Sequence, residues 1–162
     1  MSRWGLCCGV TRSVAFGRPP DDMIIAFQQA GMLEATGTFF SHPGWSLSSV
    51  WQRVRRIYDK QGVGEEWQSA DQADVVGYLS SEIQLVPTSE FTLLPRMAVH
   101  WHPSVGPAQM GDTILVSEEG SELLTKANDW PMLVVTVKGK PVTVPDLLVR
   151  EASAVAATTI PA

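Results

Sequence analysis

A chain of 162 residues with 44% hydrophobic residues is sized for one domain that folds without a metal or a disulfide. Its net charge of −5 argues against nucleic acid as the main partner, because neutralising phosphates requires a basic surface. No run of about 20 apolar residues is present, which argues against a transmembrane segment, and the adjacent pair Cys7-Cys8, with no third cysteine, excludes a disulfide framework.

Charge is unevenly distributed. Arg3, Arg12 and Arg18 fall within the first 20 residues, and all 17 acidic residues come later. A basic, acid-free leader with Ser and Thr has the composition of a mitochondrial address, although Gly5 and Gly9 weaken any amphipathic helix there. The expected location is the mitochondrial matrix side, with nucleus or cytoplasm as alternatives. Residues 1–20 therefore read as a basic arm. Pro19-Pro20-Asp21-Asp22 closes it, either aspartate being suited to cap the helix that follows.

That helix, over about 22–35, carries Met23, Ile24, Ile25, Phe27, Met32 and Leu33 around nearly its whole circumference. Gln28, Gln29 and Glu34 are the main polar remainder, and such a helix is buried on several sides. Thr36 to Trp45 reads as a loop punctuated by Gly37, Pro43 and Gly44. The clearest element runs from Ser46 or Ser48 to Gln61, where Leu47, Val50, Trp51, Val54, Ile57 and Tyr58 form one apolar stripe ending at Gly62. A third helix is expected from Ser69, with Gln72 at capping-box spacing, Val76, Leu79 and Ile83 as its buried line, and Pro87 as its stop.

The second half changes character. Residues 97–101, 113–116 and 133–137 have strand composition. Val142-Thr143-Val144 pairs with Val135-Thr136-Val137 across Lys138-Gly139-Lys140-Pro141, and Pro141 and Pro145 favour an edge. A short helix is expected over 120–127. The fold class is α+β: a three-helix half, then a small antiparallel β-sheet or open barrel, with extended N- and C-terminal arms. The domain spans 21–149, helical over 21–87 and β-rich over 95–149. Residues 150–162 form a C-terminal tail with little to bury.

Few residues suggest chemistry. His100 and His102, at i and i+2 on a strand, share a face and with His42 could supply three metal ligands, the donor set of a small metal hydrolase. No H-E-x-x-H spacing, cysteine pair or carboxylate cluster supports such a site, so no metal ligand is assigned. Glu65, Glu66, Asp71 and Asp74 are accounted for by the dipole of the third helix. There is no G-x-S-x-G elbow and no glycine-rich phosphate loop, so neither a catalytic residue, a cofactor nor a small-molecule substrate is expected. Six tryptophans suit protein interfaces, with Trp4, Trp45 and Trp130 as candidate anchors and Arg53, Arg55 and Arg56 as a candidate contact surface.

Val50-Trp51-x2-Val54-x2-Ile57-Tyr58-Asp59, followed by Phe91-Thr92-Leu93-Leu94-Pro95, resembles the MRG-binding subunits of histone acetyltransferase complexes. The resemblance covers about 50 residues and implies a chromatin-complex adaptor. The leading expectation from the residues themselves is a non-catalytic accessory subunit of a large mitochondrial assembly, a respiratory complex or ATP synthase before a mitoribosome, whose partners are other subunits of that complex.

Overall fold

The computed structural model describes residues 2–151, so the expected tail lies, from residue 152 onward, outside them. The first segment pairs with the body of its own chain. Strands β1 (Ser2–Arg3) and β2 (Leu6–Cys7) form a small hairpin, and β3 (Val14–Phe16) follows. Helix α1 (Asp21–Phe40) has Asp21 and Asp22 in its first turn, where acids favour the dipole. Helix α2 (Leu47–Lys60) is capped by Ser46, whose hydroxyl accepts from the Ser49 amide at 3.2 Å.

Helix α1 ends five residues later than its sequence suggests, at Phe40. Its apparent breaker, Gly37, is a packing residue: a Cβ there would stand 2.4 Å from the Trp101 indole. Only glycine lets helix and sheet approach so closely. The all-round apolar character of α1 follows from its central place, packed against α2 on one side and against strands on others.

The expected third helix is absent. After a 3-10 turn at Glu66–Ser69, the chain becomes strand β4 (Ala73–Val76), buried along its whole length, then β5 (Ile83–Gln84). Gln72 does not cap a helix. Its amide nitrogen donates to the carbonyls of Ala70 and Trp67, and its oxygen accepts from the Tyr58 hydroxyl at 2.5 Å. Leu79, expected in a buried line, is exposed.

Strand β6 (Ala98–Trp101) lies at the centre of the sheet, β7 (Ser104–Val105) and β8 (Ala108–Gln109) form a short hairpin, and β9 (Asp112–Leu115) returns. β10 (Glu122–Leu123) stands where a short helix was expected. The main antiparallel sheet has the order β10-β9-β6-β4-β5. β11 (Met132–Val137) and β12 (Lys140–Pro145) form the expected hairpin, turning at Lys138 and Gly139, both with positive φ. With only two strands, both are edges, which accommodates Pro141 and Pro145. β13 (Leu148–Arg150) pairs in parallel with β3, tying the two ends of the described chain together. The α+β class stands, with two α-helices and several small sheets among the described residues. No helix among them is long and apolar enough to cross a membrane.

The two faces of the main sheet differ. Val75, Val99, Trp101 and Ile114 face the helices and build the core. Alternation puts the rows Asp74–His100–Thr113 and Val76–Ala98–Leu115 on the opposite face. The N-terminal segment crosses that second face. The Cys7 amide donates to the Gly77 carbonyl, and Gly9 and Thr113 exchange two hydrogen bonds.

Candidate functional site

The sheet's second face carries the candidate site. His100 and His102 project from the same side of β6 and its end, with ring centroids 4.6 Å apart. His102 Nε2 lies 2.9 Å from Asp74 Oδ2, and Ser81 Oγ donates to Asp74 Oδ1 at 2.5 Å. Burial alone would raise the Asp74 pKa. Hydrogen bonds from His102 and Ser81, with the nearby imidazoles, outweigh burial and hold it below the usual carboxylate value. An ionised Asp74 requires His102 Nε2 to be the donor, and in the neutral imidazole Nδ1 then carries a lone pair.

His100 is enclosed. A Cβ built on Gly9 would fall 2.2 Å from His100 Nδ1, and one on Gly111 3.1 Å from its Nε2. Two glycines thus clasp the ring with backbone. Its Nε2 is buried without a hydrogen-bond partner. Burial first, and His102 second, pull its pKa down to about 4.

Two residues along the strands from the polar row, about 7 Å away, lies the apolar row Val76–Ala98–Leu115. It floors a cavity of about 1060 Å³ roofed by Trp4, Leu6, Cys7 and Cys8. Arg96 and Glu82 supply its charges. The face therefore offers an apolar recess beside an Asp–His pair.

The structure separates the three histidines. His42 follows the end of α1 against Phe39, with centroids 6.1 Å apart, and lines a different cavity. Asp74 and His102 are paired with each other, the Gly9 and Gly111 positions bring no donor side chain to His100, and no group of three or more His, Cys, Asp or Glu among the described residues could hold a metal. A metal site does not fit these residues.

Of the predicted contact residues, Trp4, Arg55 and Arg56 are exposed, and Trp45, Arg53 and Trp130 are half-buried. Arg53 lies over the Phe40 and Trp45 rings at 5.4 and 5.7 Å, and Arg55 over Trp67 at 5.3 Å. Trp130 donates to the Asp146 carbonyl and carries Arg12 at 5.9 Å. Trp4 is exposed at the roof of the apolar cavity, and Arg56 lines a shallow groove beside Trp45. The Trp51–Tyr58 pattern is a packing pattern: Val50, Trp51, Val54 and Tyr58 are all buried in the chain's own core. Sequence reasoning missed Asp74 as a functional residue because it assigned the local acids to a helix; the alternation of Asp74 with the apolar Ala73 and Val75 is the signal that a strand was there.

No family pattern matches the chain, and no curated protein is similar to it in sequence. Solved structures are similar in fold. A dipeptidase from Pyrococcus horikoshii OT3 superposes with a TM-score of 0.70 at 23% identity, over 78% of this chain and 37% of that one. An Xaa-Pro dipeptidase from Bacillus anthracis gives 0.69 at 21%, over 90% and 38%. The chain shares the fold of these dipeptidases. The N-terminal domain of the FACT complex subunit SPT16 from chickpea is more distant, at 0.58 and 12%, over 75% and 32%. The chain thus spans little more than a third of the length of the peptidases it matches.

These neighbours correct the functional expectation. The fold is shared with dipeptidases and prolidases, which contradicts the expected non-catalytic accessory subunit of a respiratory complex or ATP synthase. The expectation that the chain is not an enzyme falls with it. The basic arm that prompted the mitochondrial reading is used internally, to cover the sheet.

Proposed function

We propose that the chain belongs to a hydrolase of short peptides, with the Asp74–His102 pair as its proton-transfer group and the neighbouring recess as the seat of an apolar substrate side chain. The observation that carries this reading is the 2.9 Å contact between His102 Nε2 and Asp74 Oδ2, both largely buried on the sheet face that the N-terminal segment crosses, in a fold similar to dipeptidases. Asp74 fixes the imidazole tautomer and stabilises the imidazolium that forms. His102 Nδ1 takes a proton from water as the water oxygen bonds to the peptide carbonyl carbon, then returns it to the departing amine as the C–N bond breaks. The apolar recess orients the substrate so that this carbonyl meets the pair. No step is assigned to a metal.

The test is hydrolysis of a panel of Xaa-Pro and apolar dipeptides by the full chain, followed by amine release. Activity should persist in EDTA, and His102→Ala should lower kcat about 100-fold, the lower range for loss of a general acid–base. No turnover of any dipeptide, or equal rates for His102→Ala, would overturn the proposal.

A further inference from the structure

The opposite face of the sheet contains two acids that the peptide reading does not use. Glu34, on α1, is 1% exposed, and its Oε2 has no hydrogen-bond partner. Asp112, on β9, is 2% exposed. Its Oδ1 accepts from Arg12 and Thr125, while Oδ2 is buried and unpartnered. Leaving such oxygens unpaired is unfavourable, so the arrangement favours a donor arriving from outside.

Both acids line a cavity of about 470 Å³ between α1 and the β11–β12 hairpin, a volume in the range of small-ligand sites. Its apolar wall includes Phe39, Ile114, Leu123 and Met132. Exposed Lys126 and Lys140 line it as well, neither in an ion pair among the described residues, with Glu119 and His42 as the other titratable groups. The floor presents carboxyl oxygens lacking donors, and lysines on the lining present positive charge.

We propose that this cavity binds an apolar α-amino acid as a zwitterion, its ammonium donating to Glu34 and Asp112 and its carboxylate facing Lys126 and Lys140. The site is separate from the Asp74–His102 pair, on the other side of the sheet, and stands or falls without it. Burial raises the Glu34 pKa well above the usual carboxylate value, and Asp112 adds to the rise against a smaller lowering by Arg12, so burial in the empty site favours the neutral form. An arriving ammonium favours the ionised form, and the carboxyl proton leaves to solvent.

Calorimetric titration of the full chain at pH 7.5 tests this with L-leucine, N-acetyl-L-leucine, L-leucinamide and, separately, magnesium or zinc chloride. L-leucine should bind with net proton release, seen as a heat that changes with the buffer's ionisation enthalpy. N-acetyl-L-leucine, which lacks the ammonium, should bind at least tenfold more weakly, and L-leucinamide should lose the lysine contribution. Glu34→Gln keeps the shape without an ionisable group and should weaken leucine at least tenfold. Lys126→Ala with Lys140→Ala is a second, surface-only variant that should weaken leucine but leave leucinamide unchanged. Absence of leucine binding, equal binding of the N-acetyl form, undiminished binding by Glu34→Gln, or response to metal chloride alone would each overturn the proposal.

Discussion

The imidazole of His100 sits against the backbone of Gly9, its Nε2 is buried without a partner, and burial disfavours its charged form. With a folded pKa of about 4 and an unfolded value near 6.5, the unfolded chain binds a proton over the interval between them that the folded chain refuses. Stability therefore falls as pH drops through about 6.5 and keeps falling to about 4. Asp74 acts in the same direction at lower pH, because its folded pKa is depressed and its contribution disappears as the carboxylate protonates. His100 retains some exposure, so its share between pH 7 and 5 is about 1–2 kcal/mol after allowance for solvent screening. Urea denaturation of wild type and His100→Asn at both pH values checks this. The wild type should lose more stability on acidification than the variant, and parallel losses would contradict the assignment.

Among the elements, α1 shows how a residue that weakens a helix alone can be required by its packing. In an exposed helix, Gly→Ala stabilises by about 1 kcal/mol through propensity. At Gly37 the added methyl would stand 2.4 Å from an indole that is itself fully buried and donates to Ser41 Oγ at 3.0 Å. The helix or Trp101 must move, and overpacking of this kind costs about 1–3 kcal/mol. Gly37→Ala should therefore lower the melting temperature and shift Trp101 fluorescence to longer wavelength. A stabilised protein would show that the helix and sheet separate freely. The same contact explains a limit of sequence reading. α2 was legible because its stripe faces one way, and the β11–β12 hairpin because Lys138-Gly139 is a turn pair. Gly37 read as a terminator since its partner lies 64 positions away. Residues 73–76 read as helix because a serine and a glutamine had capping spacing, while the tertiary bond from Tyr58 to Gln72 decided otherwise. The candidate site was half visible: His100 and His102 follow from strand alternation, whereas Asp74 required knowing that β4 pairs with β6. Glu34 looked like the polar edge of a helix, and nothing local indicates that β9 covers it.

Over the whole molecule, the N-terminal segment converts one sheet face from an open surface into a walled recess. It is held by β3–β13 pairing, by the Cys7 and Gly9 backbone bonds, and by Arg12. Arg12 is the most connected of these. Its guanidinium donates to the Thr11, Gly111 and Thr125 carbonyls and meets Asp112 at 2.5 Å, with both side chains largely buried. Removing one partner of a buried pair leaves the other unpaired, at a cost of about 3 kcal/mol. Asp112 already has its pKa raised by burial, opposed by Thr125 and Arg12. Without Arg12 the carboxyl would protonate more readily, so part of the loss should be recovered below the carboxylate range. Arg12→Gln should thus unfold about 10 °C lower than wild type at pH 7, with a smaller difference at pH 4. Arg12→Lys keeps charge without the planar fork and should fall between them. Limited proteolysis distinguishes a local from a global effect: in Arg12→Gln the sites among residues 4–17 should become cleavable below the melting temperature, before those in α1 and α2. Unchanged protection of that segment would mean that backbone pairing alone closes the recess.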